Sequence, residues 1–126
     1  GNLQSAIAET GMGCIVFSPL AQGLLTERYL NGIPKDSRAT KSPFLTKAQV
    51  EEKLPCIKAL HQLALKRGQT LTEMALAWNL RLKEITSVLI GASRVSQIEE
   101  ALRSLKNLDF SSEELSKIED ILAGNF

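Results

Sequence analysis

Two short apolar runs, each followed by a turn or loop and then a helical pattern, most constrain the fold of this chain. The first run is Cys14–Phe17, and the second is Ser87–Ile90. Uninterrupted apolar runs of this length are typical of strands that are buried on both faces, as in parallel sheets. Two successive strand-then-helix units therefore predict an α/β fold with parallel, interior strands.

Capping signals predict the helices around these strands. Thr46 with Gln49, Thr70 with Glu73 and Ser111 with Glu114 have the spacing of capping boxes, in which the paired side chains bond to backbone N–H groups. Helices are predicted over residues 3–10 up to Gly11, from Thr46 to Gly68 with a kink or restart at Pro55, after Thr70, after Ser93 as the N-cap, and after Ser111.

Three features distinguish the segments between the strands. The helix after Thr70 is apolar over a wide arc, which predicts an interior position with Trp78 in the core. His61 lies at the edge of an apolar helical stripe and is predicted to have a packing role. Residues 20–41 are rich in turn formers and basic side chains, and we interpret them as a long functional loop.

The inventory of reactive and charged residues excludes several classes of function. His61 is the only imidazole, which leaves no basis for a catalytic triad or a His-rich metal site, and Cys14 and Cys56 form no ligand cluster. Fifteen basic residues against 14 acidic ones make neither nucleic acid nor an anionic membrane a favoured partner. No leader or apolar span is evident, and we expect a cytoplasmic protein with two free thiols.

Two segments carry the remaining chemical signal. Phe17–Gly23 follows the first strand, at the carboxyl end where parallel α/β folds bind ligands. In the segment from Gly91 to Glu100, a glycine allows close approach, a helix N-terminus offers N–H groups, and Arg94 adds a forked cation. The second segment suits a phosphate, and it is equally compatible with a simple strand-to-helix turn that has a Ser cap and an exposed Arg.

These two motifs resemble the C-terminal portion of the aldo-keto reductases. The matching stretches are Phe17–Thr26, Tyr29–Pro34 with Arg38, and Ser87–Arg94 with Gln97 and Glu100. The resemblance is to the branch that contains bacterial glyceraldehyde-3-phosphate reductases and potassium-channel β subunits. It implies that residues 1–126 are a single partial domain, the last two βα units of a (β/α)8 barrel with extra helices.

The resemblance also implies an NADP(H) site, because the family binds this cofactor at the matching positions. Phe17 corresponds to the aromatic residue that stacks on the nicotinamide, and Ser93 and Arg94 correspond to the site of the adenosine 2′-phosphate. The full set of cofactor positions implied by the family is Phe17, Ser18, Pro19, Leu20, Gln22, Arg28, Arg38, Gly91, Ser93, Arg94, Gln97 and Glu100. Gln97 and Glu100 correspond to adenine contacts.

The resemblance places no catalytic residue in this chain. The family tetrad of Asp, Tyr, Lys and His comes from the first half of the barrel, and neither Tyr29 nor His61 matches it. We therefore expect reduction of aldehydes or ketones only with an N-terminal half-barrel, which is the expected partner alongside self-association. A non-catalytic nucleotide-binding module and a structural segment that no longer binds cofactor are the alternatives. No metal site is expected.

Overall fold

The computed structural model describes residues 2–126. The α-helices and strands, in chain order, are α1 (Leu3–Thr10), β1 (Ile15–Val16), α2 (Arg38–Lys41), α3 (Lys47–Lys66), α4 (Leu71–Leu80), β2 (Ser87–Val88), α5 (Val95–Arg103) and α6 (Ser112–Leu122). Short 3-10 turns form at Ala21–Gly23, Glu27–Tyr29 and Ser104–Lys106. The order helix, strand, loop, two helices, strand and two helices is as predicted from the sequence.

The two strands pair in parallel, as the pattern of two strand-then-helix units predicts. Ile15 lies opposite Ser87, and Val16 opposite Val88. Gly13 allows the close approach at the start of the pair, because a Cβ atom there would lie 3.1 Å from the Thr86 hydroxyl oxygen. The two strands therefore end at a pair of neighbouring residues, Val16 and Val88, and the segments that follow them leave the sheet at the same edge.

Both strands were predicted to be interior, and this prediction is wrong for the described chain. Ile15 is 63% exposed and Leu89, directly after β2, is 56% exposed. The physical reason is that β1 and β2 form a two-stranded sheet, and each has only the other as a hydrogen-bonded neighbour within residues 2–126. Apolar runs of this kind are typical of strands that neighbouring strands and helices cover on both faces in a larger parallel sheet.

The predicted interior helix is confirmed. Residues 71–77 of α4 are all buried, and Leu71 and Met74 pack in one core with Ile57 of α3 and Ile121 of α6. Trp78 is half-buried and packs against this core. Because α4 contacts α3, α5 and β2, it is the element that joins the sheet to the helical layer.

Helix α3 begins as the sequence predicts and continues further than expected. The Thr46 side chain accepts the Gln49 N–H at 3.2 Å, and the Gln49 side chain accepts the Thr46 N–H at 2.8 Å. A kink or a restart at Pro55 was predicted; the helix does not restart there, and a single helix spans residues 47–66. Val50 and Ile57 are buried on either side of the proline, and this packing maintains the helix across the lost backbone bond.

The segment between β1 and α3 is more structured than a loop. It contains two 3-10 turns and the short helix α2, and Tyr29 is 1% exposed. Tyr29 packs with Val50 and Leu45, which attaches the segment to α3. Within residues 2–126, no helix combines the length and the apolar character needed to cross a membrane.

A buried arginine joins the end of α3 to the start of α6. The Arg67 side chain is 2% exposed, and its guanidinium donates to Glu114 Oε2 at 2.6 Å and to the Asp109 carbonyl at 2.9 Å. It also lies 3.8 Å from the centroid of the Phe110 ring. The planar guanidinium thus satisfies several acceptors at one helix junction, a geometry that lysine cannot reproduce.

We expect Arg67→Ala to lower the free energy of unfolding by about 3 kcal/mol, because it removes the cationic partner of the Glu114 carboxylate and the donor to the Asp109 carbonyl. Arg67→Lys should recover only part of this loss. Urea unfolding followed by circular dichroism measures both, and Lys66→Ala, at the exposed neighbouring position, is the control. An Arg67→Ala variant as stable as the control would contradict this account.

Candidate functional site

The candidate site is the edge of the sheet at which both strands end. The Leu89 N–H donates to the Val16 carbonyl at 2.9 Å, which is the last bond of the strand pair. Phe17 follows on one strand and Ile90 on the other. The fold therefore brings together the two segments that the sequence singled out, although their first residues, Phe17 and Gly91, are 74 positions apart in the chain.

The first segment combines an exposed aromatic ring with an unusual backbone. Phe17 is 80% exposed at the edge of the sheet. Ser18, Ala21 and Gln22 have positive φ angles of 52°, 47° and 62°. Non-glycine residues in this region are strained by about 1 kcal/mol or more each, and such strain is concentrated at binding sites. Pro19 and Leu20 are half-buried within the same turn.

Two of the three predicted site arginines are held by neighbours in the loop. The Arg38 guanidinium lies 3.4 Å from the Gln22 side-chain oxygen. The Arg28 guanidinium lies 3.4 Å from an oxygen of Asp36. Arg38 is thereby connected to the strained turn that follows β1. The sequence analysis missed Asp36 as the partner of Arg28. The available signal was a negative charge close to Arg28 in a turn-rich loop.

The second segment is open, and its cap differs from the prediction. Gly91, Ser93 and Arg94 are exposed. Ser93 was predicted to be the N-cap of α5, but the N-cap is Arg94. Instead, the Gln97 side-chain oxygen accepts the N–H groups of Ser93 and Arg94 at 2.8 and 3.2 Å. Gln97 thus reaches back from the first turn to the residues that precede α5, which is the reciprocal half of a capping box.

Glu100 has an intramolecular partner. The Thr70 hydroxyl donates to Glu100 Oε1 at 2.7 Å, which ties α5 to the start of α4. Thr70 was predicted only as a helix cap, and its second bond was missed because the two residues are distant in sequence. No sequence signal for this contact was available.

The donor set at this edge fits a phosphorylated dinucleotide. Arg94 lies in the second segment, is exposed and has no ion-pair partner within residues 2–126, and the exposed Arg38 guanidinium reaches Gln22 of the first segment. Planar guanidinium groups bind phosphate in a bidentate manner. The first turn of α5 adds backbone N–H groups and the positive end of a helix dipole. An exposed Phe17 ring adds a surface for stacking.

Tyr29 and His61 lie where α3 meets the loop that follows β1, and the Tyr29 ring also approaches Gly23 at the end of the first segment. Tyr29 is buried against α3, and the His61 imidazole lies 3.6 Å from a carboxylate oxygen of Glu27. Two shallow depressions of about 410 and 440 Å³ are lined by Tyr29 and by His61 respectively, and neither includes a predicted cofactor residue. Within residues 2–126, no group of three or more metal-ligating side chains converges.

Comparison with known proteins identifies the family. The sequence model of the Aldo/keto reductase family matches residues 2–123. The chain belongs to this family of oxidoreductases. It is 48% identical over 126 residues to the L-glyceraldehyde 3-phosphate reductases of Escherichia coli O157:H7 and of strain K12, covering 96% of this chain and 36% of each of those proteins. It is also 34% identical to a putative voltage-gated potassium channel subunit beta from Schizosaccharomyces pombe, covering 89% of this chain and 34% of that protein.

The fold comparison agrees with the family. A glycerol dehydrogenase from Gluconobacter oxydans superposes with a TM-score of 0.79 at 23% identity, covering 98% of this chain and 38% of that one. The predicted fold class, part of a (β/α)8 barrel with parallel strands, is confirmed. The chain spans about a third of the length of the curated relatives it matches.

We predict that the backbone strain after β1 can be relieved. Ala21→Gly should raise the free energy of unfolding by about 0.5 kcal/mol, because glycine adopts a positive φ without a steric cost. Ala59→Gly, the same change inside α3, should lower it by about 1 kcal/mol. Chemical denaturation measures both. Equal losses in the two variants would mean that the turn at Ala21 carries no strain.

Proposed function

We propose that this chain forms the NADP(H)-binding part of an aldo/keto reductase. The observation that carries the proposal is the convergence of Phe17–Gly23 and Gly91–Glu100 at one sheet edge, with the exposed Arg94 in the second segment and Arg38 in contact with Gln22 of the first. The family match supports the same reading, because aldo/keto reductases use a nicotinamide dinucleotide at this end of the barrel. Phe17 would stack on the nicotinamide, and Ser18, Pro19, Leu20 and Gln22 would line the path of the pyrophosphate and ribose.

The proposed preference for NADPH over NADH rests on the start of α5. Arg94 is exposed without an ion-pair partner in the described chain, and the Ser93 hydroxyl is next to it. The extra phosphate of NADPH carries two negative charges that this cation and the helix dipole would stabilise. Gly91 leaves open space around the backbone at the same turn.

The proposed reaction is reduction of an aldehyde or ketone by a complete barrel. The bound cofactor supplies a hydride, and the residues of this chain bind and orient it. A proton donor is also needed, but the Tyr29 side chain is buried in the core and the His61 imidazole lies beside the Glu27 carboxylate. We therefore propose that the chain alone, a single partial domain over residues 1–126, is catalytically inactive.

We propose a cytoplasmic location from the state of the thiols. Cys14 and Cys56 are both unpaired. Burial raises the pKa of the Cys56 thiol, partly offset by the charge of Lys53, and this keeps the thiol protonated and unreactive at neutral pH. Unpaired thiols are typical of reducing compartments.

The cofactor proposal predicts saturable binding of NADPH to the chain in a calorimetric titration, with weaker binding of NADH. Arg94→Ala should weaken NADPH binding by about tenfold or more and leave NADH unchanged, because only NADPH presents the 2′-phosphate. Lys117→Ala, which removes an exposed cation from α6, is the matched control.

Loss of affinity for both nucleotides in Arg94→Ala would assign Arg94 to a general structural role. Equal binding of NADPH and NADH by the unsubstituted chain would contradict the 2′-phosphate site. Absence of binding to either nucleotide would favour a structural segment that no longer holds cofactor.

The reaction proposal predicts that activity returns only with the rest of a barrel. Mixing the chain with a separately expressed N-terminal segment of the Escherichia coli L-glyceraldehyde 3-phosphate reductase should give NADPH oxidation with an aldehyde substrate. L-Glyceraldehyde 3-phosphate, named by that relative, and unphosphorylated aldehydes serve as alternative substrates. Neither component should turn over alone.

The same experiment separates the enzyme from a non-catalytic nucleotide-binding module. The similarity to a putative potassium channel subunit beta is the observation that favours the module. A stable complex of the two segments that binds NADPH without turnover would support it. Co-elution in size-exclusion chromatography confirms that the complex has formed.

A further inference from the structure

A polar cluster joins α5 to the first turn of α4. The Thr70 hydroxyl donates to Glu100 Oε1 at 2.7 Å, across 30 positions of sequence. Next to it, the Arg103 guanidinium donates to Glu73 Oε1 at 3.0 Å, again across 30 positions. Glu73 is buried, whereas Glu100 is only half-buried. The cluster therefore attaches the helix of the candidate site to the buried core helix.

Thr70 is suited to hold a carboxylate because its hydroxyl has two roles at once. Its oxygen accepts the Glu73 N–H at 3.1 Å, which caps α4, and its single hydrogen points to Glu100. The Thr70 N–H also lies 3.4 Å from Glu73 Oε2. The capping bonds fix the position of the hydroxyl, so the donor that Glu100 meets is rigid.

Glu100 is thereby fixed on the helix that begins at the candidate site. It lies one turn after Gln97, whose side-chain oxygen already caps the start of α5. Thr70 engages Oε1 of Glu100, and the other carboxylate oxygen can accept from the exocyclic amine of a purine. A glutamate without this anchor would sample several rotamers and lose entropy on binding.

We propose that Thr70 is a positioning residue for the adenosine end of the dinucleotide site. It acts through Glu100 and α5 and does not itself contact the cofactor. The proposal rests on the function proposed above. In this proposal, the residue that caps the core helix α4 orients Glu100, the side chain that would contact the adenine. Glu73 and Arg103 support the same junction from the neighbouring turn.

The test uses two substitutions at position 70 in the full chain. Thr70→Asp keeps an acceptor for the Glu73 N–H and removes the hydrogen that Glu100 receives, whereas Thr70→Ser keeps both. Ser111→Asp is the matched control, because Ser111 caps α6 with the same geometry and does not hold α5. Any general cost of a carboxylate cap appears in both Asp variants.

Each variant is titrated with NADPH, with 2′,5′-ADP and with reduced nicotinamide mononucleotide, which lacks the adenosine half. We expect Thr70→Asp to weaken binding of NADPH and 2′,5′-ADP by about tenfold and to leave the mononucleotide unchanged. Thr70→Ser and Ser111→Asp should bind all three within about twofold of the unsubstituted chain. Unchanged NADPH affinity in Thr70→Asp would overturn the proposal, and so would an equal loss for the mononucleotide.

Amide hydrogen exchange over α5 tests the positioning role of Thr70 independently of nucleotide binding. Thr70→Asp should lower the protection of amides in residues 98–103 at least fivefold, whereas Thr70→Ser and Ser111→Asp should not. If the unsubstituted chain binds no nucleotide, the proposed function fails, and the loss of α5 protection still establishes that Thr70 positions this helix. Unaltered protection in Thr70→Asp refutes the positioning role.

Discussion

The parallel pairing of β1 and β2 is the interaction on which the candidate site depends. It consists of few bonds, among them Thr86 N–H to the Cys14 carbonyl at 2.8 Å and Leu89 N–H to the Val16 carbonyl at 2.9 Å. The Cys14 N–H adds a bond to the Thr86 hydroxyl at 3.0 Å. This short ladder closes a loop of about 70 residues, whose entropic cost must be offset elsewhere.

The helical layer provides that compensation. Helix α4 contacts β2 and is buried over residues 71–77, while α3 and α6 pack against it in one core. Arg67 fixes α6 to the end of α3, and the Thr70 hydroxyl fixes α5 to the start of α4. The helices hold the strand pair in place, and the exposed sheet faces contribute little to stability.

The sequence predicted most of the fold because its signals are local. Capping boxes at Thr46, Thr70 and Ser111 fixed three helix starts, since both partners lie within one turn. The predicted burial of the strands and the predicted cap at Ser93 were wrong, and of the kink or restart predicted at Pro55 the restart does not occur. The burial of a strand and the continuation of a helix through a proline depend on what packs against the segment. The position of a cap depends on which of several nearby side chains reaches a free N–H group. The periodicity of the sequence contains neither kind of information.

For the candidate site, the sequence by itself determined which residues match the dinucleotide site that the family resemblance implies: an aromatic ring after one strand, and a glycine turn with Arg94 after the other. These are properties of residue type and order along the chain. Only the tertiary structure decided that the two segments share one sheet edge and that Arg38 meets Gln22. It also decided that Glu100 is anchored by Thr70, because contacts between residues distant in sequence depend on how the helices pack.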